Sequence, residues 1–205
     1  RYTKSEPMGN KSDIIWLESI DSTNQEARRH ISAIDNLSVL SAMSQTEGRG
    51  QQGNSWSSET GLNLTFSIVL KNPGIKAYDQ FALSQLAALS VTDFLSSYGI
   101  EARIKWPNDI YISDRKICGV LIENSIKGDS VDWSIIGIGL NVNQRVFPSD
   151  IPNPTSMVLC TDSGKEHDIA ALLDEFIETF TSYYNRYLNI TGGLKKLRQL
   201  YLSQM

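Results

Sequence analysis

Hydrophobic residues recur along this chain with two periods, and the two periods separate predicted strands from predicted helices. Every second residue is apolar over residues 62–70, as in a strand with one buried face. Apolar residues recur at helical spacing over residues 79–98 and 168–188, and Gly99 supplies a stop after the first of these helices. A last short helix is predicted over residues 194–203. Further strands are predicted at residues 13–20, 37–43, 102–106, 110–113, 116–124 and 130–143.

The predicted strands cluster in the middle of the chain, and the predicted helices flank them. This order favours an α+β fold with a mixed β-sheet flanked by helices. We expect a flexible segment over residues 1–12 and one folded domain over residues 13–205. Two overlapping capping boxes, Ser22 with Gln25 and Thr23 with Glu26, predict where the first helix begins.

Composition excludes several classes of protein. The net charge of −4 and the pI of about 5.2 argue against a surface that coats nucleic acid, because such binding needs clustered Lys and Arg. Two cysteines and two histidines lie far apart, without the paired spacing of a zinc site. No apolar run reaches 18 residues, so we expect a soluble, cytoplasmic protein with reduced thiols and no membrane or DNA partner.

A glycine-rich polar loop at residues 48–54 is the first candidate for chemistry. Its glycines let the backbone approach a ligand, and Arg49 can donate two hydrogen bonds to a carboxylate or phosphate. The spacing matches GxGxxG, but Trp56 and a strand follow where a dinucleotide fold needs a helix. The terminal Lys-Ser/Thr of a phosphate-binding Walker loop is also missing. On spacing alone, a flexible surface loop is the favoured interpretation.

Two lysines stand at the ends of predicted strands. Lys105 opens the segment Lys-Trp-Pro-Asn-Asp, which suits a nucleotide with its magnesium, since one carboxylate and one amide suffice for a hydrated Mg²⁺. The alternative is a turn with Trp106 in the core. Lys116 follows a predicted turn at Asp114-Arg115 and opens an apolar strand, so its ammonium could face a carboxylate or phosphate. The alternative there is a solvated hairpin turn.

Three glycines interrupt predicted strands, where glycine weakens pairing unless something packs closely on the backbone. They are Gly119, Gly137 and Gly139, and a simple bulge is the alternative for the last two. The segment Asp21-Ser22-Thr23-Asn24 offers hydroxyls that either hold a polar ring or cap a helix.

Taken in order, these segments resemble the motifs of the biotin–protein ligases. The resemblance runs from about residue 14 to residue 160, and five motifs in the right order make it specific. The matching segments are residues 21–24, the Gly48-Arg49-Gly50 loop ending near Trp56, residues 105–109, residues 115–123 and residues 137–143.

The resemblance implies a fold shared with lipoate ligases and related to class II aminoacyl-tRNA synthetases. It implies that the biotin carboxylate attacks the α-phosphorus of Mg·ATP, giving biotinyl-5′-AMP and pyrophosphate. A lysine of a biotin carboxyl carrier protein then takes the biotinyl group. Substrates and cofactors are therefore expected to be biotin, ATP and Mg²⁺. Some members of that family dimerise through sheet edges, so a homodimer stays open.

The resemblance also assigns expected roles to single residues. Lys116 and Arg49 are the expected catalytic residues. The expected biotin contacts are Ser22, Thr23, Asn24, Gln45, Arg49, Gly50, Gln51, Lys116, Gly119, Gly137 and Gly139. The expected ATP contacts are Arg49, Trp56, Lys105, Asn108 and Asn141, with Asp109 as the expected Mg²⁺ ligand.

The chain departs from the family pattern in three respects. Its loop is less cationic, with Gln51, Gln52 and Asn54 where many members have arginine. An N-terminal winged helix is not expected ahead of Asp21, and a C-terminal β domain is expected to be absent or truncated. The rivals are a lipoate or octanoate ligase, which would need a Gly-triplet after its loop, a non-catalytic biotin sensor, and a plain scaffold protein.

Overall fold

The computed structural model describes residues 13–50 and 53–205, so the expected flexible segment at 1–12 lies outside the described residues. Seven strands of the described ranges form one mixed sheet. The strands are β1 (Ile14–Ile20), β2 (Val39–Gln45), β3 (Leu64–Lys71), β4 (Arg103–Lys105), β5 (Asp109–Ile112), β6 (Arg115–Lys127) and β7 (Ser130–Leu140). The helices are α1 (Thr23–Arg29), α2 (Phe81–Ser97), α3 (Met157–Cys160), α4 (Ile169–Tyr187) and α5 (Gly193–Ser203).

The sheet order is β1-β2-β3-β7-β6-β5-β4, and this order confirms the expected mixed α+β class. Only β1 and β2 pair in parallel among these strands, because α1 carries the chain from the end of β1 back to the start of β2. The remaining neighbours are antiparallel, and short turns join β5 to β6 and β6 to β7.

One face of the sheet carries the main core, which packs against α2, α4 and α5. Phe66 of β3 meets Phe176 of α4 edge to face at 5.3 Å between ring centroids, and Phe94 of α2 meets the same ring at 5.5 Å. The predicted apolar stripe of α4 is confirmed, since Leu172, Phe176, Phe180 and Tyr184 are all buried. Asp168 caps this helix by accepting from the backbone of Ala170 and Ala171.

The opposite face is covered by α1 and a small cluster that contains Ala27, Leu40 and Val69. Between α1 and the far end of the sheet, this face stays open above β6 and β7 and forms the pocket described below. No helix within the described ranges is long and apolar enough to cross a membrane.

Several strand limits differ from the sequence prediction for local reasons. β2 begins at Val39 because Leu37 has a φ of 64°, a left-handed conformation that no strand accepts. The turn before β6 lies at Ser113-Asp114, one residue earlier than expected. Trp106 was expected in the core, but it is 66% exposed and follows the end of β4.

The predicted capping boxes at the start of α1 are wrong. Ser22 occupies the N-cap position, yet its side chain makes no capping hydrogen bond. The hydroxyl of Thr23 contacts the side chain of Gln45, and Glu26 pairs with Arg29. A residue distant in sequence therefore takes the Thr23 hydroxyl, and a neighbour within α1 takes the Glu26 carboxylate.

Candidate active site

The floor of the pocket is a row of strand positions in which glycine replaces side chains. Thr65, Gly139, Gly119 and Asp109 are successive partners across β3, β7, β6 and β5. The neighbouring row joins Ser67 to Gly137. Because the two central positions of the first row lack side chains, another group can pack directly on the backbone in the middle of the sheet.

Trp56 lies directly on this floor. A Cβ built on Gly139 would approach its Cε2 to 2.3 Å, and one on Gly119 would approach its Cζ3 to 3.1 Å. The indole Nε1 is buried and has no hydrogen-bond partner within the described residues. Trp56 was expected to cover an adenine, and that contact stays a prediction, since here its ring packs on the glycines.

Lys116 reaches the pocket because β6 is irregular at its start. Ile110 of β5 pairs with Cys118, but Tyr111 pairs with Lys116, so Ile117 is an extra residue in β6. This bulge turns Lys116 to the same face as Gly119, against the alternation of a regular strand. The Lys116 backbone is held in turn by hydrogen bonds with Asn153 and Thr155.

The ammonium of Lys116 has two neighbours in the pocket. Its Nζ lies 2.9 Å from Asp109 Oδ2, and both side chains are about one-third exposed. The same Nζ lies 5.8 Å from the centroid of the Trp56 ring, within range of a cation–π contact. The lysine is thus a charged group at one end of the glycine floor, held by one carboxylate.

The polar wall at the other end is built from the first turn of α1. Asn24 packs on Gly137, where a Cβ would lie 2.4 Å from its Oδ1. The backbone amide of Thr23 donates to Gln45 Oε1 at 2.9 Å. Ser67 Oγ, from the adjacent strand, lies 2.8 Å from Thr23 Oγ1 and 2.6 Å from Asn24 Oδ1.

The glycine-rich loop closes the pocket on a third side. Gly50 N donates to Asn54 O and Trp56 N donates to Gly48 O, so residues 48–50 pair with residues 54–56. A Cβ on Gly48 would lie 2.2 Å from the carbonyl oxygen of Trp56, which explains why glycine is needed there. Gln51, an expected biotin contact, lies outside the described residues.

The pocket has a volume of about 280 Å³ and brings together most of the residues expected to form the site. From the expected set it gathers Ser22, Thr23, Asn24, Gln45, Arg49, Gly50, Trp56, Asp109, Lys116, Gly119, Gly137 and Gly139. Three expected nucleotide contacts do not line it. Asn108 donates to Val120 O and Asn141 donates to Thr155 O, while Lys105 lies 4.6 Å from the centre of the Tyr111 ring.

Two polar residues next to the pocket wall were missed by the sequence reasoning. Ser67 is fully buried and contacts both Thr23 and Asn24. Glu123 accepts a hydrogen bond from Asn24 and faces Arg49. The alternation of side chains along a strand could have indicated Glu123, because it lies on the same face of β6 as Gly119. Ser67 lies on the same face of the sheet, where it pairs with Gly137 of β7.

Two titrating groups near the site have shifted pKa values. Hydrogen bonds from Arg29 lower the pKa of Asp21 to about 2, so this carboxylate stays charged just before the polar wall. Burial raises the pKa of the Cys118 thiol. This cysteine is completely buried beneath the floor, which keeps it a thiol and excludes it as the nucleophile of the pocket.

A mixed sheet with a glycine floor, a polar wall and a lysine at the far end defines a small-molecule-binding α+β domain suited to an acidic ligand. The model of the Biotin/lipoate A/B protein ligase family matches residues 16–141. The chain belongs to that family.

Individual relatives agree with this assignment. The chain is 34% identical over 206 residues to the bifunctional ligase/repressor BirA of Bacillus spizizenii, covering 98% of this chain and 61% of that protein. It is 36% identical to the biotin–[acetyl-CoA-carboxylase] ligase of Paracoccus denitrificans over 129 residues, which is 62% of this chain and 53% of the relative. The chain therefore spans about three-fifths of the length of the Bacillus protein.

A solved structure confirms the expected fold. The biotin protein ligase of Aquifex aeolicus in complex with biotin and ATP superimposes with a TM-score of 0.81 at 30% identity. The match covers 94% of this chain and 78% of that structure. The mixed seven-stranded sheet is the catalytic fold of biotin protein ligases, which is similar to that of class II aminoacyl-tRNA synthetases.

Proposed function

We propose that this chain activates biotin with ATP to biotinyl-5′-AMP and then transfers the biotinyl group to a lysine of a biotin carboxyl carrier protein. The observation that carries the proposal is the arrangement of Asn24 and Lys116 at opposite ends of the glycine floor. Biotin has a polar ring, a hydrocarbon chain and a terminal carboxylate, and the pocket offers a matching surface for each in that order. The Aquifex relative is described in complex with biotin and ATP, which supports the same substrates here.

In the first half-reaction, a carboxylate oxygen of biotin attacks the α-phosphorus of ATP. The new bond joins that oxygen to phosphorus, and the bond from the α-phosphorus to the bridging oxygen of pyrophosphate breaks. Negative charge gathers on the phosphoryl oxygens while two anions are brought together. Fixed cations aimed at those oxygens lower the barrier, and Lys116 and Arg49 are the cations of the pocket that can serve.

Lys116 is the main candidate because its position is fixed by the bulge at Ile117 and by backbone hydrogen bonds on both sides. A preorganised charge needs little rearrangement when the transition state forms. Asp109 holds the ammonium at 2.9 Å before a ligand arrives. The carboxylate of biotin can then replace Asp109 as the partner of the ammonium, or bind the ammonium together with Asp109. Arg49 also lines the pocket and can hold the adenylate phosphate.

In the second half-reaction, the neutral ε-amine of the acceptor lysine attacks the acyl carbon of the mixed anhydride. An amide bond forms, the acyl–oxygen bond breaks, AMP leaves and the amine gives up one proton to water. The acyl group is already activated, so positioning supplies most of the catalysis. No cysteine nucleophile is required, in agreement with the burial of Cys118.

Magnesium belongs to the substrate in this proposal, as Mg·ATP. Asp109 supplies one carboxylate, and it already faces Lys116. Within residues 13–50 and 53–205, no three His, Cys, Asp or Glu side chains converge as a metal cage. A hydrated Mg²⁺ held largely by phosphate oxygens fits this donor set, with Asp109 as its expected protein contact. The cytoplasm, where ATP and carrier proteins are available, is the expected location.

Biotin-dependent exchange of labelled pyrophosphate into ATP tests the first half-reaction. We expect exchange with biotin and none with lipoate or octanoate under the same conditions. Exchange with lipoate or octanoate alone would assign the chain to the lipoate branch of its family. Biotin binding without exchange would instead indicate a sensor.

A further inference from the structure

Glu123 connects two sides of the pocket without lining it. It lies on the pocket face of β6, where it pairs with Ile135 of β7. Its Oε2 accepts a hydrogen bond from Asn24 Nδ2 at 3.0 Å, and its Oε1 lies 3.7 Å from Arg49 Nη1. One carboxylate therefore contacts both the polar wall and the glycine-rich loop.

The contact with Asn24 determines which way that amide points. Asn24 Nδ2 faces two acceptors, Glu123 Oε2 and the Leu121 carbonyl oxygen at 3.3 Å. Its Oδ1 faces Ser67 Oγ at 2.6 Å. A flipped amide would set its oxygen against the carboxylate and the carbonyl, so the negative charge of Glu123 makes the observed orientation the favoured one.

The orientation of Asn24 is passed on to the rest of the wall. Because Asn24 Oδ1 can only accept, the single hydroxyl proton of Ser67 is directed to it. Ser67 Oγ then has only acceptor capacity left for its 2.8 Å contact with the Thr23 hydroxyl, whose single proton can go to Ser67 Oγ or to Gln45 Oε1 at 3.3 Å. The Thr23 backbone amide donates to the same Gln45 oxygen. The orientation of Asn24 thus directs two buried hydroxyls of the wall, those of Ser67 and Thr23.

The contact with Arg49 is of a different kind. At 3.7 Å it is an ion pair but too long for a good hydrogen bond, and the arginine side chain is 49% exposed. Such a pair contributes little stability. It keeps the guanidinium beside the pocket and leaves its hydrogen-bond donors available to an incoming anion.

We propose that Glu123 is a positioning residue of the biotin-activating site, which orients Asn24 for the polar ring of biotin and holds Arg49 beside the adenylate position. This inference rests on the proposed function. The two contacts make different demands, since the first needs an acceptor oxygen and the second needs a negative charge. Glutamine supplies the acceptor without the charge, and alanine supplies neither.

The variants Glu123→Gln and Glu123→Ala separate these demands. In pyrophosphate exchange, Glu123→Ala is expected to raise the KM for biotin about tenfold, with kcat within about threefold, because the lost bond acts on ring binding. Glu123→Gln is expected to keep the KM for biotin within about threefold of the parent. Equal losses in both variants, or no loss in Glu123→Ala, would overturn the role at Asn24.

The Arg49 contact is measured without any substrate. Trypsin cuts after arginine, and the fragment ending at Arg49 is quantified by mass spectrometry during limited digestion of the ligand-free protein. Both variants should release it about two- to fivefold faster than the parent, since both lack the charge. Unchanged release in both would overturn the role at Arg49.

Glu101, an exposed glutamate that does not line the pocket, provides the matched control. Glu101→Gln and Glu101→Ala should change neither KM nor the release of that fragment. If the parent protein shows no biotin-dependent exchange, the proposed function fails, and the digestion still decides whether Glu123 holds Arg49. If Glu123→Ala unfolds, retained KM in Glu123→Gln supports the role at Asn24 and a raised KM there overturns it.

Discussion

The two faces of the same sheet have opposite chemistry, and β3 shows the difference most simply. On the helix side, Leu64, Phe66 and Ile68 are buried in the main core. On the pocket side, Thr65 and Ser67 alternate with them and are also buried, but their hydroxyls make hydrogen bonds. Both sides exclude water, yet one is filled by apolar volume and the other by directed polar contacts.

The same contrast continues through β6 and β7. Ile136, Ile138 and Leu140 join the core, whereas Gly137 and Gly139 add no side chain to the opposite face, so Asn24 and Trp56 pack directly on the backbone there. Glycine at these positions removes the packing that would stabilise the sheet there. The comparison indicates that the helix face supplies stability and that the pocket face gives up stability for ligand space. Substitutions on the two faces should therefore change different measurements.

Phe176→Ala should produce the largest effect, and the effect should be on stability. Its ring contacts both Phe66 and Phe94 in the centre of the core. Removing a buried phenylalanine ring costs about 3–5 kcal/mol because a cavity remains. Urea denaturation measures this loss, and the surviving folded fraction should bind biotin normally. A loss below about 1 kcal/mol would contradict the placement of the core on this face.

Lys116→Ala should have the next largest effect, and the effect should be on activity. We expect biotin-dependent pyrophosphate exchange to fall by about a hundredfold or more, since a fixed charge is lost from the phosphoryl centre. The midpoint of urea denaturation should hardly change, because the side chain is partly exposed.

Lys76, paired with Asp129 at the surface, provides the control for removing a lysine. Lys76→Ala should exchange pyrophosphate at the parent rate. Retained exchange in Lys116→Ala would remove this lysine from the reaction. A matching loss of stability would show that its role is structural.

Gly137→Ala should have a moderate effect on biotin binding. The new Cβ would lie 2.4 Å from Asn24 Oδ1, so the wall must shift away from the floor. We expect the KM for biotin to rise about tenfold, which corresponds to a strain of about 1.4 kcal/mol. Ser134→Ala on the same strand is the control, because that hydroxyl is buried without a partner in the described residues. An unchanged KM in Gly137→Ala would place the ligand away from Asn24.

The smallest effect concerns the pH dependence of stability through Asp21. Hydrogen bonds from Arg29 lower its pKa from 3.8 to about 2, so folding favours the charged form. The stabilisation is complete above the unfolded pKa and is lost as the pH falls through the folded pKa of about 2. Asp21→Asn should therefore be less stable than the parent at pH 6, and the difference should shrink below pH 3.8 and disappear below pH 2. A difference independent of pH would rule out the ion pair as its source.

Much of the fold could be predicted from periodicity. The helix expected at residues 168–188 is α4 (Ile169–Tyr187), and the one expected at 79–98 contains α2 (Phe81–Ser97). Glycines inside strands correctly indicated close approach to the backbone, since Trp56 and Asn24 pack there. These predictions succeeded because the positions of apolar residues and of glycines along a helix or strand depend on which of its faces is buried.

The rest depended on contacts between distant segments. The extra residue Ile117, which turns Lys116 into the pocket, arises from the pairing of β5 with β6 and leaves no local signal. Asn108 and Asn141 donate to backbone carbonyl groups that only the folded sheet brings near. Trp106 is a large aromatic residue of the kind usually found in a core, but β4 ends before it and leaves its side chain exposed. The hydrophobic pattern determines which face of a strand or helix is buried. The hydrogen-bond partners depend instead on how strands that are distant in sequence pair with one another.

We propose that the open face of the sheet activates biotin. The most direct test mixes the purified chain with biotin and ATP labelled in the α-phosphate, then separates the products by chromatography. We expect labelled biotinyl-5′-AMP in an amount approaching that of the enzyme, formed at least about a hundredfold more slowly with Lys116→Ala. Label that stays in ATP, while calorimetry shows biotin bound, would contradict it.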